Sequence, residues 1–487
     1  MGTSPHSFHF WTLSRQIIAA LALIAISGCS VGPDYQRPVA TSIPETYTGA
    51  NSEWKIAVPQ AHLPKGNWWN IFGNAELNQL EIDAATANQD LKAAAARFEQ
   101  ARAVVDVASS GLFPRLGASL QPLAQRDSEN RPVGGKPGKT YETYTVPFDL
   151  SYEIDLWGRV RGTAEAATAQ AQAGAEDLES VRLAMQAEVA ADYFLIRALD
   201  ADKALLLSSI DAYQKSLNLV RNRRAGGMVS DLDVAQAETI LKNTLSQLPD
   251  NALQRAKFEH ALAVLTGKNA SLFHIKEQPL DQEPIIIPTG LPSELLERRP
   301  DIAAAERRMA AANANIGVAK AAFFPTIKLS GQAGFQSRDT ESLFNWPSLL
   351  WSVGPSLTVP LFQGGQLTAT LQQTKATYEE TIAKYRGTVL TAFADVENNL
   401  AAEYLLAEQY EQVMDALQSA RKQLEIATNR YNSGLVTYLE VATAQNIVIT
   451  TERTSMRLKG QNVVTAIALI KSLGGGWDTS YARPVDQ

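Results

Sequence analysis

Glu176 to Leu207 reads EDLESVRLAMQAEVAADYFLIRALDADKALLL, the middle of a stretch from Gly158 to Ala225 that holds no proline. Its only glycines, Gly158, Gly162 and Gly174, lie near its start. Alanine, leucine, glutamate, glutamine, arginine and lysine, the better helix formers, fill most of the rest. A single helix over the whole stretch extends to roughly 100 Å, whereas globular helices average about 11 or 12 residues.

The apolar pattern says what such a helix touches. Leu178, Val181, Met185, Val189, Tyr193, Ile196 and Leu199 fall on one face at helical spacing. Leu183, Ala187, Ala190, Phe194, Ala198, Ala201 and Leu205 form a second stripe, roughly 160° away at about 100° per residue. One stripe suits a helix lying on a globular core. Two nearly opposite stripes suit a stave with neighbours on both sides. A long two-stranded coiled coil is the other arrangement such a helix adopts when it stands alone.

It does not stand alone. The 487-residue chain has room for two or three ordinary domains, with a soluble-like mean hydropathy of −0.14 and 20% charged residues. Its net charge of −7 argues against a nucleic-acid binder. At the N-terminus, Ile17 to Ile26 (IIAALALIAI) follows Arg15 and is too short to span a bilayer, so 1–28 reads as a signal peptide. Ile26-Ser27-Gly28-Cys29 resembles a bacterial lipobox, and Cys29, the only cysteine, is the expected site of lipidation. Acyl chains there give stable membrane anchoring. Ser30 comes after the cysteine rather than aspartate, which points to the outer membrane.

Residues 29–66 are rich in Pro, Ser, Thr and Gly and read as an extended tether. A first repeat then occupies 67–267. Its opening helix runs from about Ala75 to Ser110, with Leu77, Leu80, Ala84, Ala87, Leu91, Ala94 and Phe98 at threes and fours. Past Phe113-Pro114 the period becomes two, giving strands at about 116–126 and 143–157. In the second, Phe148, Leu150, Tyr152, Ile154 and Leu156 alternate with Asp149, Ser151, Glu153 and Asp155. A lipid-facing strand with water on its other side has this signature, and so does a soluble sheet with one solvated face. The long helix, 158–225, ends in a tip at 226–232, and a further helix, interrupted or kinked at Pro249, runs to 267. Residues 268–291 form a connector to the second half of the chain.

From 292 to 476 the chain repeats itself. Arg97, Ala101, Val107 and Leu112-Phe113-Pro114 match Arg308, Ala312, Val318 and Phe323-Phe324-Pro325 at a spacing of 211. The second copy has a helix to 324, strands at about 327–336 and 349–361, and a long helix over 364–432. Its tip at 433–439 matches the first at a spacing of 207, as Arg223 and Arg430, Val234 and Val441, and Ala237 and Ala444 show. A last helix runs to 473, and 477–487 form a tail. Four strands with one greasy face cannot sit in lipid with open edges, and the smallest closed membrane barrels have about eight strands. A closed oligomer is therefore required, of two chains or of three.

Several long motifs carry a resemblance. They are Gly32 to Pro38 (GPDYQRP), Trp68-Trp69 with Phe72, Leu295 to Ile302 (LLERRPDI), Ile316 to Pro325 (IGVAKAAFFP) and Leu473 to Trp477 (LGGGW). The chain from Cys29 onward resembles the outer-membrane lipoproteins of tripartite efflux systems, the TolC/OprM/NodT-like family. The resemblance implies a mainly α protomer with a small transmembrane β part, in an obligate homotrimer. Its twelve-stranded outer-membrane barrel would continue into a long periplasmic α-helical barrel, with the long helices commonly broken partway. The implied function is a passive exit duct for small molecules, served by a periplasmic adaptor protein and an inner-membrane RND-type transporter. A duct for type I protein secretion or heavy-metal efflux is the alternative.

No catalytic constellation, cofactor motif or Cys/His metal spacing is recognisable, so no enzyme is expected. Gly134 to Thr140 ends like a P-loop, but Val133 stands where its first glycine belongs and a strand comes next. The resemblance makes Gly227, Val229, Ser230, Asp231 and Leu232, with Gly434, Val436, Thr437, Tyr438 and Leu439, the tips that meet the adaptor. Asp233 and Glu440, at matching positions, are expected to form rings of acids at a periplasmic gate, and like charges held close repel or bind cations. Thr443 stands where the family often carries an aspartate. Asp149, Glu153 and Asp155 are expected to line the barrel lumen with acid.

Overall fold

The computed structural model describes residues 31–38, 66–126, 128, 140–280 and 298–475. Cys29 and its leader, most of the tether, the loop with the P-loop-like segment, Pro284 and Pro288, Leu295 to Glu297 of LLERRPDI, and Trp477 with the tail lie outside them.

The duplication is exact in helix length. Helices α1 (Ala75–Ala87) and α2 (Gln89–Ser110) precede strands β1 (Arg115–Ala118), β2 (Gln121–Arg126) and β3 (Thr140–Ile154). Then come α3 (Arg159–Ala225) and α4 (Asp231–Leu265). The second copy has α5 (Pro300–Ala321), β4 (Thr326–Ser337), β5 (Leu349–Thr358), α6 (Gln366–Asn432) and α7 (Tyr438–Ser472). Corresponding helices have 22 residues (α2, α5), 67 (α3, α6) and 35 (α4, α7). Each 67-residue helix is continuous, roughly 100 Å of rise, so the break common in the family is absent here. The chain divides into two compact units, each built from both copies.

One unit comprises residues 98–174 and 305–385 with the described part of the N-terminal segment, and holds the sheet. β3 pairs antiparallel with β1, β2 and β4, and β4 with β5. The register keeps like with like on each face. Leu150 lies opposite Gly331 and Leu116, Tyr152 opposite Leu329, and Ala333 opposite Phe148 and Trp351. On the other face Asp149 meets Gln332, Ser151 meets Ser330, and Glu153 meets Lys328. The apolar face is open: Trp351 is 72% exposed, Val353 and Leu357 63%, Phe148 57%.

The strand expected over 116–126 is two. Their registers on β3 are continuous, and the gap at Ser119 and Leu120 falls beside Pro147, which has no amide proton for the ladder. Opposite Pro147 stands Gly334, where a Cβ would come within 2.1 Å of the Val146 carbonyl oxygen. β3 ends at Ile154 rather than 157, because the Leu156 amide turns back to the Ile154 carbonyl and Gly158 takes φ +77°. β5 likewise stops at Thr358, short of the expected 361.

The other unit holds the principal core. Trp68, Tyr193, Phe194, Ile196, Leu77 and Leu262 are buried there, and the Phe72 and Phe194 rings lie 4.8 Å apart. Met185, Val189, Tyr193 and Ile196 from one stripe of α3 are buried together with Leu183, Ala187, Ala190 and Phe194 from the other. Over this stretch the chain itself supplies neighbours on both sides of the stave. One expectation needs correction and another is narrowed. The opening helix is broken at Asn88, whose side chain accepts from the Leu91 amide (2.9 Å) and donates to the Leu265 carbonyl (3.0 Å), a cap that restarts the helix. Of the two forms expected at Pro249, interrupted or kinked, interruption is absent, since α4 runs through the proline. A buried charge network, invisible to periodicity, pins the segment after α4. Arg255 binds Asp200 (2.6 Å) and the Ile275 carbonyl (2.8 Å), while Glu259 and Asp200 accept the Ile275 and Gln278 amides.

Candidate functional sites

The two tips share one backbone. Each long helix ends on a left-handed glycine, Gly227 (φ +72°) or Gly434 (φ +74°), a conformation that favours glycine over residues with a Cβ. The next amide closes the turn: Met228 donates to the Arg223 carbonyl (2.9 Å), and Leu435 to that of Arg430 (3.0 Å). This is the Schellman ending of a helix. The following helices start at Asp231 and Tyr438 behind Ser230 and Thr437.

Side chains divide the expected tip residues into two groups. Val229 and Val436 are half-buried and pack into the hairpin core. Leu232 (66% exposed) and Leu439 (54%) point outward, as do Met228 and Leu435, both 71% exposed. Periodicity passed over Met228 and Leu435 because a turn has none. Their shared position, directly after the left-handed glycine, is the signal that identifies them.

The wiring behind the tips is unequal. In the first, Arg224 and Asp231 form an exposed bidentate pair (2.6 and 2.9 Å). At the matching positions of the second, buried Tyr431 and Tyr438 pack edge to face at 5.4 Å. Arg223 reaches across, its guanidinium 4.8 Å from the Tyr431 ring centroid and 3.1 Å from Asn432 Oδ1. The Tyr438 hydroxyl donates to Gln445 Oε1 (3.1 Å) and lies 3.0 Å from Ser216 Oγ.

The gate candidates part company here. Asp233 is 8% exposed and completes a capping box: it accepts from the Ser230 amide (2.9 Å) and hydroxyl (2.7 Å), and the Ser230 oxygen accepts from its own amide. Its other oxygen accepts from the Tyr438 amide of the second tip, 3.1 Å away. Burial favours its neutral form, but these hydrogen bonds outweigh burial and hold its carboxyl below the ordinary value. Glu440 is exposed and faces Arg430 at 3.3 Å. The two acids thus differ in burial and partners although their positions in the two copies match. The Thr443 hydroxyl donates to the Leu439 carbonyl (2.8 Å), and Thr443 borders a mainly apolar groove of about 980 Å³ between α3, α4 and α7. Arg453 crosses that groove's wall to bind Asp202 (2.7 and 2.9 Å) and Gln247.

On the sheet, the three expected lumen acids also differ. Asp149 lies on the exposed polar face and accepts from Gln332 Nε2 (3.0 Å). Glu153 is held bidentate by Arg159 (2.7 and 2.8 Å). Asp155 lies beyond the strand, where it accepts from the Arg161 amide (2.8 Å) and side chain. Two of the three therefore carry a compensating cation.

Comparison with known proteins agrees with this geometry. The family model for outer membrane efflux protein matches residues 82–268 and 291–475, each span close to one copy of the duplication. The toluene efflux pump outer membrane protein TtgF of Pseudomonas putida is 33% identical over 474 residues, covering 95% of this chain and 97% of TtgF. Outer membrane protein OprJ of Pseudomonas aeruginosa is 32% identical, covering 95% and 96%. The CmeC outer membrane channel of Campylobacter jejuni superimposes with a TM-score of 0.83 at 27% identity, over 93% of this chain and 96% of that one. The chain belongs to the outer membrane efflux protein family and is an outer-membrane efflux channel protein.

Proposed function

We propose that three copies of this chain close a twelve-stranded barrel and serve as the passive exit duct of a tripartite pump for small organic molecules. The observation that carries this reading is the sheet. Its apolar face is exposed, its opposite face is polar, and among the described residues its outer strands have no partner beyond β3 and β4. Such a sheet is stable in lipid only when further copies close it. Leu390, Tyr404 and Leu405 on α6, each more than half exposed, suit a seam with a neighbouring copy. A lipid anchor at Cys29 is supported by the contacts of residues 31–37. The Val31 amide donates to the Trp157 carbonyl (3.4 Å), Asn313 to the Pro33 carbonyl (2.9 Å), and Arg37 to the Tyr385 hydroxyl, so the anchor's exit is tied to the sheet's own unit.

An adaptor protein of the periplasm would meet the tips through Met228, Leu232, Leu435 and Leu439, and an RND-type inner-membrane transporter would supply the energy. Of the gate candidates, Glu440 and Thr443 keep side chains at the surface of α7, while Asp233 is committed to the tip's own hydrogen bonds. The test is a deletion strain profiled against solvents, dyes, antibiotics and metal salts. Sensitivity to organic compounds is expected, restored by the wild-type gene but not by Leu435→Asp at equal outer-membrane abundance. Sensitivity confined to metal salts, or a protein-secretion defect alone, overturns the small-molecule reading.

A further inference from the structure

Where β1, β3 and β4 end beside the first turn of α3, the polar face of the sheet closes around a cavity of about 340 Å³. Arg115, Lys328 and Arg159 line it together with one acid, Glu153, and the hydroxyl-bearing Ser151 and Thr163. Arg159 and Glu153 satisfy each other. Arg115 sits in register opposite Ser151, and Lys328 opposite Glu153. Neither Arg115 nor Lys328 has a side-chain hydrogen bond or ion pair among the described residues. The cavity thus carries two uncompensated cations per chain. The neighbouring acids along this face are Asp149, two residues (about 7 Å) beyond the register of Arg115 and four beyond that of Lys328, and Asp155, which Arg161 binds.

We infer that this cavity is an anion site of the duct: Arg115 and Lys328 together take the carboxylate or sulfonate of an organic anion in transit, and they bias permeation at this level toward anions. A guanidinium and an ammonium converging on one polar cavity make charge-assisted hydrogen bonds with an oxyanion. Beside a low-dielectric wall such a field raises the local concentration of counter-ions. The inference rests on the duct reading, in which the polar face lines the lumen and three copies repeat the cluster.

The test is the reconstituted wild-type channel in planar bilayers, with KCl gradients and citrate as the probe. Arg115→Gln/Lys328→Gln is expected to lower the chloride-to-potassium permeability ratio by about threefold. It is also expected to weaken citrate block by at least about tenfold through loss of two charge-assisted contacts. The charge-preserving pair Arg115→Lys/Lys328→Arg should keep both properties, and Ser151→Lys should move the ratio the opposite way. Selectivity and citrate block identical in wild type, the Gln pair and Ser151→Lys overturn the inference. Absence of conductance from correctly inserted wild-type protein instead overturns the duct itself. If the Gln pair fails to assemble, an unchanged ratio in Ser151→Lys overturns the inference alone.

Discussion

The two tips have the same backbone and opposite chemistry. Both end on a left-handed glycine, close the same Schellman hydrogen bond and start a helix of 35 residues. Yet across the first turn the linking pair is Arg224 with Asp231, in solvent, and across the second it is Tyr431 with Tyr438, buried. The first copy then extends Arg223 and Asp233 to the second, whereas Arg430 and Glu440 in the second bind each other. Duplication conserved the turn because the left-handed glycine and the hydrogen bond that closes it fix it locally. The side chains diverged because each turn now faces a different neighbour. The second tip is anchored by the first, and the first is free at its outer edge.

The largest effect is expected where the anchor is densest. Tyr438→Ala removes a side chain that is 1% exposed, its edge-to-face partner and its hydroxyl contacts. Emptying such a site costs about 3 kcal/mol. Local opening of that size speeds amide hydrogen exchange at Leu435 by roughly 100-fold. The matching change, Asp231→Ala, removes only an exposed ion pair and should leave Met228 exchange unaltered. Equal effects at the two positions break the comparison.

Asp233→Ala comes next. It removes the capping box and leaves the Tyr438 amide without its acceptor, a loss of about 2 kcal/mol. Exchange should accelerate at both tips, since this one carboxylate serves both. The sign of its pH dependence is set by its depressed pKa. The stabilisation is present above the unfolded value, about 3.9, and is lost as pH falls through the lower folded value. Tip protection, corrected for intrinsic exchange, should therefore hold between pH 5 and 7 and decline below about pH 4. That decline should be absent in Asp233→Asn.

Most of the fold was legible because its signals are periodic. Alternation along Phe148 to Asp155 predicted both faces of β3, and repeated motifs predicted the duplicate. The features that escaped are set by single atoms without a period. Asn88 breaks a helix that the apolar spacing of Leu80, Ala84, Leu91 and Ala94 carries straight through. Pro147 interrupts a ladder whose side-chain alternation continues unbroken. The partners of the acids escaped for a related reason. Matching Asp233 to Glu440 identified equivalent backbone positions, but a partner depends on the residues across the gap, which a one-chain repeat does not encode. Glu153 stays on the polar face where the alternation puts it, but the arginine that pairs with it, six residues on, belongs to a different element and so escaped the alternation.

The smallest effects test whether the backbone symmetry is real once side chains are set aside. A Cβ on Gly227 or Gly434 meets nothing within 4 Å, so alanine there costs only the left-handed conformation, about 1 kcal/mol at either site. Equal acceleration of Met228 and Leu435 exchange, roughly fivefold, is the expected result. Inequality would mean that the anchoring of the second tip already constrains its turn. Glu440→Gln is smaller still, because an exposed pair with Arg430 contributes less than about 1 kcal/mol. Its value lies in the function it isolates. A change in bilayer conductance without any change in tip exchange assigns Glu440 to ion passage, and a change in exchange alone assigns it to the tip, as Asp233 already is.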